Sequence, residues 1–417
     1  MARTDVIGIG AINFDFIFSG GKADRNHGGI DEGEEIFVES QTFKDNFYTL
    51  QRHTTNEPLV QVGGSSLLAI RTLKDICPTL KTAYVGVYGK VPEYASGKKL
   101  PQTIEETREE FDAYIDNSEW LFLDDSYTTG TALVKLSKRS RQFINVDPGA
   151  NVSLLSLIRQ KGENSFIDFL SSAKWVHMTS LSNVRDFIEI ARLVKKAKIK
   201  NPSLIFSTDP GYDYTKNKKK WNVFKESLGY TNYVFLSKSE YENITLAMGL
   251  SNKSKAIELA ELLHARNSKA QILIIKGKSK ITLLNMINET PFTRTYYHNK
   301  LLFTKMLNDT GAGDAFDGGF IAGMLSPILL SHQPAPIKLG TIAASERLKS
   351  LDWPSHLPHK AKAFFEENMR NERMNFRQWF HVKVVKVLKP FWTFILGILS
   401  GVIASIIFQY LLKHITI

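Results

Sequence analysis

Between positions 308 and 325 the chain reads NDTGAGDAFDGGFIAGML, and the rest of the sequence has to be arranged around that stretch. Thr310-Gly311-Ala312-Gly313 is too small to serve as a packing element, and it runs straight into Asp314. Phe316, Phe320, Ile321, Met324 and Leu325 then recur at three- and four-residue steps, which predicts a buried helix starting at about Gly313. Gly318, Gly319 and Gly323 inside it each cost roughly 1 kcal/mol relative to alanine, tolerable where something must approach the helix closely. A glycine-rich turn opening a helix aims backbone N–H groups outward at the positive end of the macrodipole, which makes an anion site. An acid in the same place repels a phosphate that merely binds, so Asp314 needs a second reason to be there. A general base that takes a proton from a hydroxyl about to receive a phosphoryl group is such a reason. The plain alternative is an N-capped core helix after a flexible loop.

Upstream, residues 6–18 read as the first core strand. Gly8 and Gly10 on it suggest a dinucleotide fingerprint, but Asn13 takes the third glycine position and no clear helix follows. Residues 19–60 are polar and glycine-dotted, with short β-like pieces such as 35–39. Gln61-Val62-Gly63-Gly64 leads into a helical pattern at 67–73, and 84–90 looks like the next strand and turn. Residues 128–134 and 141–146 alternate like a hairpin and end in Asp147-Pro148-Gly149-Ala150-Asn151. The apolar runs 175–178 and 204–206, separated by a helical segment at 184–197, have the βαβ rhythm of a parallel sheet. His177, in one of those runs, reads as a core histidine. Lys216 to Lys220 reads as a solvated loop. Further on, 234–236 and 272–275 are strand-like, leading to Ser237 and Glu240 and to Lys276 and Gly277.

The string from Asp309 closely resembles the C-terminal signature of the PfkB/ribokinase family of sugar and nucleoside kinases, DTxGAGD before a small-residue helix, with one residue fewer between Thr and Gly here. The resemblance covers roughly residues 5–352. It implies an α/β fold, a ribokinase-like three-layer sandwich with a mostly parallel central sheet and a small β-sheet lid. The kinase domain would span 1–358, with the lid drawn from about 19–60 and 100–145. Carried onto this chain, it makes Asp314 the catalytic base and Gly311, Ala312 and Gly313 the anion hole. Asp15, Gly63 and Gly64 would hold a sugar-like or nucleoside-like acceptor. Ser237, Lys276 and Gly277 would border ATP, with Lys276 reaching a phosphate as a point charge. Glu240 would help place Mg2+ through metal-bound water, although a plain helix-start acid is the alternative for it. A last helix at 343–351 would lie beside the adenine. The chain departs from the family pattern at Leu68, where an asparagine is usual, at Lys90, at Gly211 and at Ser237. Those departures favour a rival from another class, a catalytically impaired binding or scaffold protein of the same fold.

A chain of 417 residues can bury a large core, and its single cysteine, Cys77, excludes an internal disulfide. The formal charge of +11 invites a nucleic-acid partner, so its location matters. From Arg370 onward there are seven Lys/Arg against one acid, Glu372, so more than half of the excess sits beside the tail and no nucleic-acid partner is expected. The N-terminus, with Asp5 and Asp15, is a poor signal peptide. After a basic linker at 359–390, residues 391–412 carry no charge, and at 1.5 Å per residue they reach about 33 Å, enough for one bilayer crossing. The basic flank before this single-pass C-terminal transmembrane helix places the kinase domain in the cytoplasm. Gly397, Gly401 and Ser405 form a small-residue step that offers a pairing face for a homodimer.

Overall fold

Short runs that are apolar throughout form parallel strands because helices cover both of their faces. The computed structural model describes residues 4–19, 34–54, 57–95, 101–137, 140–250, 258–259, 272–277, 280–287, 290–297, 310–326, 335–349, 360–364 and 366. Among them the larger sheet has the order β14 (Thr290–Tyr297), β13 (Lys280–Ile287), β12 (Ile272–Lys276), β11 (Tyr233–Ser237), β10 (Ile205–Asp209), β9 (Trp175–Thr179), β1 (Val6–Ile9), β5 (Thr82–Lys90), β6 (Leu121–Thr128). Pairing is parallel from β6 to β12, and β13 and β14 close that edge as antiparallel strands.

Alternation along these strands sorts side chains to two faces. Ile7, Ile9, Val176, Met178, Phe206 and Leu236 join one core cluster with residues of α4 (Leu154–Lys161), α5 (Glu163–Ser171), α6 (Val184–Lys200) and α8 (Lys218–Phe224). The opposite face meets α2 (Ser65–Ile76) and α10 (Ala312–Leu325), with Phe235 edge-on to Phe320 at 5.5 Å. The glycines inside α10 are where its neighbours come closest. A Cβ at Gly318 would stand 2.3 Å from the Ala69 carbonyl oxygen, and one at Gly323 would stand 2.7 Å from Pro336 Cα in α11 (Ala335–Leu348). Other helices among the described residues include α1 (Ser40–His53), α3 (Ile104–Asp112), α7 (Gly211–Lys216) and α9 (Lys238–Ala247).

A second sheet has the order β3 (Glu34–Phe37), β8 (Ser140–Asp147), β7 (Gly130–Ser137), β2 (Asn13–Ser19), β4 (Leu59–Gly63). The single strand expected over 6–18 is therefore two strands in two sheets. The break falls at Gly10-Ala11-Ile12, where the Asn151 side chain accepts the Ile12 N–H at 2.9 Å and donates to the Ile12 carbonyl at 3.0 Å. One asparagine amide thus satisfies the backbone where the chain leaves one ladder for the other. The glycines before the break serve packing, since a Cβ at Gly8 would stand 2.6 Å from Ile70 Cγ1 of α2. In β2 the sequence NFDFIF puts Phe16 and Phe18 against Phe47 of α1, with ring centroids 5.2 and 5.7 Å apart, and Asn13, Asp15 and Ile17 on the other face. Helix α1 replaces the irregular segment expected there, because Phe43, Phe47 and Leu50 bury one side of it. Lys218 to Lys220, expected in a loop, open α8, whose first turn is capped by the Asn217 side chain.

Residues 1–362 form one compact unit and 363–417 another. The span at 391–412, its pairing face, and the linker apart from 360–364 and 366 lie outside the described residues. Among those described, no helix is long and apolar enough to cross a membrane.

One half-buried acid makes the fold sensitive to pH. Burial pushes the Asp75 carboxyl on α2 up to about 7, against the opposing pull of Arg71 and Lys362, and its Oδ2 has no hydrogen-bond partner among the described residues. Its folded pKa lies above the ordinary 3.8, so its contribution to stability is complete below about pH 4 and lost as the pH rises through 7. The whole effect is on the order of 4 kcal/mol. Asp75→Asn, which keeps a buried polar group, is expected to recover about half of it at pH 8. Thermal melts of the two proteins should coincide near pH 4 and diverge toward pH 8.

Candidate active site

The C-terminal ends of β9, β10, β11 and β12 and the inner face of the smaller sheet enclose a cleft of about 1290 Å3. Ligands of open α/β sheets bind outside the carboxyl ends of the strands. Of the residues singled out in the sequence, Asp15, Gly64, Ser237, Glu240, Lys276, Gly277, Gly311, Ala312, Gly313 and Asp314 all line this one cleft, and Gly63 lies behind Asp15. Asn308 and Asp309, which open the motif, are outside the described residues.

Helix α10 opens on Gly311, whose φ of 79° is left-handed and suits glycine, with no side chain among the described residues capping the turn. The Ala315 N–H closes the first turn on the Gly311 carbonyl at 2.9 Å. The amides before it have no acceptor within the helix and point along its axis into the cleft. Asp314 stands in that first turn, and its charge extends to Tyr84 and Asp317.

At the other end, Asp15 is 6% exposed and accepts a 3.1 Å hydrogen bond from Gln61 Nε2, its cross-strand neighbour on β4. Gly63 exists to make room for it, because a Cβ there would stand 2.0 Å from Asp15 Oδ2. Leu68, on α2, is 2% exposed and lines the same end with its apolar side chain. Gly211 also lines the cleft, at a φ of 71° and with its N–H on Asp209 Oδ1 at 3.1 Å. Lys90 is exposed and is not among the lining residues.

Ser237 and Glu240 form a capping box on α9. The Ser237 hydroxyl accepts the Glu240 N–H at 3.2 Å, and Glu240 Oε2 accepts the Ser237 N–H at 2.7 Å. Glu240 is thus a helix-start acid that also faces the cleft. Burial, then the charge of Asp209, pushes its carboxyl up to about 7, with Lys276 opposing. Gly277 donates to the carbonyl of Lys280, the first residue of β13, at 3.1 Å.

Lys276 is where the geometry adds most to the sequence. Its ammonium lies 2.7 Å from Asp209 Oδ2 and 3.1 and 3.2 Å from the two oxygens of Asp317. Burial works against the ammonium, but Asp209, Asp317 and Glu240 outweigh it and hold its pKa above the lysine range. Burial raises the Asp317 carboxyl well above its ordinary value, while Asp209 is held low against its own burial, chiefly by the Lys276 charge. The sequence gives neither acid a role of its own, Asp209 standing only at the head of Asp209-Pro210-Gly211-Tyr212, a stretch similar to the family's DPNxR segment. Yet an acid three residues after Asp314 in an apolar, glycine-rich helix has to find a buried cation. His177 plays no part in the cleft. Its Nδ1 lies 2.9 Å from Ser207 Oγ, and burial lowers its pKa to about 4, so it is a neutral core histidine.

Burial of the acids bears on a metal. Among the described residues no group of three acidic, histidine or cysteine side chains could hold one. Asp209 and Asp317 are engaged by Lys276. An ion such as Mg2+, which keeps its water and is carried largely by a nucleotide's own phosphates, would fit that lining, and Glu240, which faces the cleft, would hold one of those waters.

A family model described as pfkB family carbohydrate kinase matches residues 113–341, more than half of the chain. No curated protein matches. Among solved structures, the fold is similar to adenosine kinase from Schistosoma mansoni in complex with 2-fluoroadenosine, with a TM-score of 0.67 and 17% identity over 85% of this chain and 98% of that one. It is similar to adenosine kinase from Anopheles gambiae in complex with P1,P4-di(adenosine-5) tetraphosphate, at 0.66 and 18% over 84% and 97%. Ribokinase from Giardia lamblia gives 0.62 and 19% over 87% and 99%. Identities of this size carry the fold alone.

Proposed function

The chain belongs to the pfkB family of carbohydrate kinases, and from that premise we propose that it moves the γ-phosphoryl group of ATP to a hydroxyl of a sugar-like or nucleoside-like acceptor. The observation that carries this is the mouth of α10, where outward amides and the Asp314 carboxylate open into the same cleft as the buried Asp15. Asp15 would accept hydrogen bonds from acceptor hydroxyls, with Gly63 and Gly64 letting the backbone come close. The acceptor oxygen forms its bond to the γ-phosphorus as the bond to the β,γ-bridging oxygen breaks, and Asp314 takes the hydroxyl proton. The amides of 311–313 stabilise charge on the transferring group. Bound Mg2+ would supply further neutralisation of the phosphates. The smaller sheet, lying over the acceptor end, keeps out water that would compete for the phosphate.

The full chain, incubated with ATP, Mg2+ and a panel of sugars, nucleosides and sugar phosphates, is expected to release ADP only when an acceptor is present. Leu68, apolar where an amide is usual, supports a second reading, a binding protein that kept the fold. Ligand-induced stabilisation with no acceptor-dependent ADP from any member of the panel would decide for it.

We also propose that residues 391–412 anchor the kinase to a membrane from its cytoplasmic side. The 22 uncharged residues and the basic flank from Arg370 to Lys389 support this. Extraction at alkaline pH should leave the full chain in the membrane pellet, with residues 1–362 accessible to protease on the cytoplasmic face. Release into the supernatant would refute the anchor.

A further inference from the structure

Lys276 ends β12 at the floor of the cleft, directly under the mouth of α10. An ammonium has three donors, and three carboxylate oxygens stand within 3.2 Å of this one, one from Asp209 and two from Asp317. The Phe235 ring lies below it, with its centroid 5.7 Å away. Above it is Gly313, where a Cβ would come within 3.2 Å of Nζ, so the second glycine of the motif also leaves room for the lysine. Moving the ammonium to a nucleotide would strand a buried carboxylate, which costs more than a new contact near solvent returns. We infer that Lys276 is a positioning residue, the fixed counter-ion of Asp209 held also by hydrogen bonds to Asp317 beneath the anion hole, and that it does not leave them to bind a phosphate. It rests on the placement of the phosphate site at the mouth of α10.

Its role is to cancel the negative charge under the amides, so that a polyanion can settle on them. Without it, the Asp209 carboxylate faces the incoming phosphate at short range wherever the pH keeps that buried acid ionised, so binding is compared at alkaline pH. Lys276→Met is therefore expected to weaken ATP binding to the full chain by at least about tenfold. Adding Asp209→Asn removes the stranded charge as well, and should bring ATP affinity back to within about threefold of the wild type. A direct phosphate ligand behaves differently, because the double variant would still lack its cation and would stay as weak as the single one. Titration calorimetry with ATP separates the two. Should both variants fail to fold, a crystal of the wild type with a non-hydrolysable ATP analogue decides the matter. Nζ within hydrogen-bond reach of Asp209 and Asp317 supports the counter-ion, and Nζ on a phosphate oxygen overturns it. Wild-type protein that binds no ATP at all would instead overturn the placement of the phosphate site.

Discussion

Asp314→Asn is expected to bind ATP as the wild type does and to turn over about three orders of magnitude more slowly, within the range attributed to a positioned general base. The amide has nearly the shape of the carboxylate and can occupy the same place in the first turn of α10, so the backbone amides of 311–313 keep their directions. It cannot take up the acceptor's proton, so the hydroxyl has to attack the γ-phosphorus while still carrying it, with ADP as the leaving group. Removing a negative charge beside a polyanion also favours ATP, so nucleotide affinity should hold or rise. Its charge is one of those that raise the Asp317 carboxyl, so its loss also relieves a buried neighbour and should leave the melting temperature unchanged or higher. Single-turnover kinetics with saturating ATP, beside a direct binding titration, makes the distinction. Turnover equal to the wild type would remove Asp314 from the chemistry. Loss of ATP binding together with turnover would make it a structural residue of the turn.

The mouth of α10 was legible in the sequence because its physics is local. A small-residue turn, an acid and an apolar helix follow one another within 18 residues, from 308 to 325, and each can be read without knowing the fold. The internal glycines of that helix likewise marked a close approach, and α2 and α11 make it. What stayed hidden depends on pairs distant in sequence. Lys276 looked like a cation waiting for a phosphate, because nothing local says that Asp209 and Asp317 converge on it from β10 and α10. The division of 6–18 between two sheets depends on Asn151, far along the chain, which bridges Ile12. Helix α1 was missed because its buried face, Phe43, Phe47 and Leu50, is sparse among polar residues and is completed by Phe16 and Phe18 of β2 and by Tyr94.

Two adjacent glycines offer the second large effect, because they should fail in different ways. At Gly63 a Cβ would stand 2.0 Å from Oδ2 of Asp15, the far end of a side chain that can rotate away. Gly63→Ala should therefore fold, lose the Gln61–Asp15 hydrogen bond, and displace the carboxylate from the acceptor end. The expected result is an acceptor KM raised by about a hundredfold with little change in ATP affinity, the loss of a charge-assisted hydrogen bond or two. At Gly64 the φ is 116°, and the Cβ would stand 2.1 Å from the Ala11 carbonyl oxygen, which is backbone and cannot rotate away. Gly64 also caps α2 and accepts the Leu68 N–H at 2.9 Å, so any shift propagates into the helix that packs on α10. Gly64→Ala should lose about 3 kcal/mol or more of stability, strain and steric clash together. A Gly63→Ala protein with unaltered acceptor kinetics would mean that Asp15 does not touch the acceptor. A Gly64→Ala protein melting with the wild type would mean that the turn between β4 and α2 is not the one described.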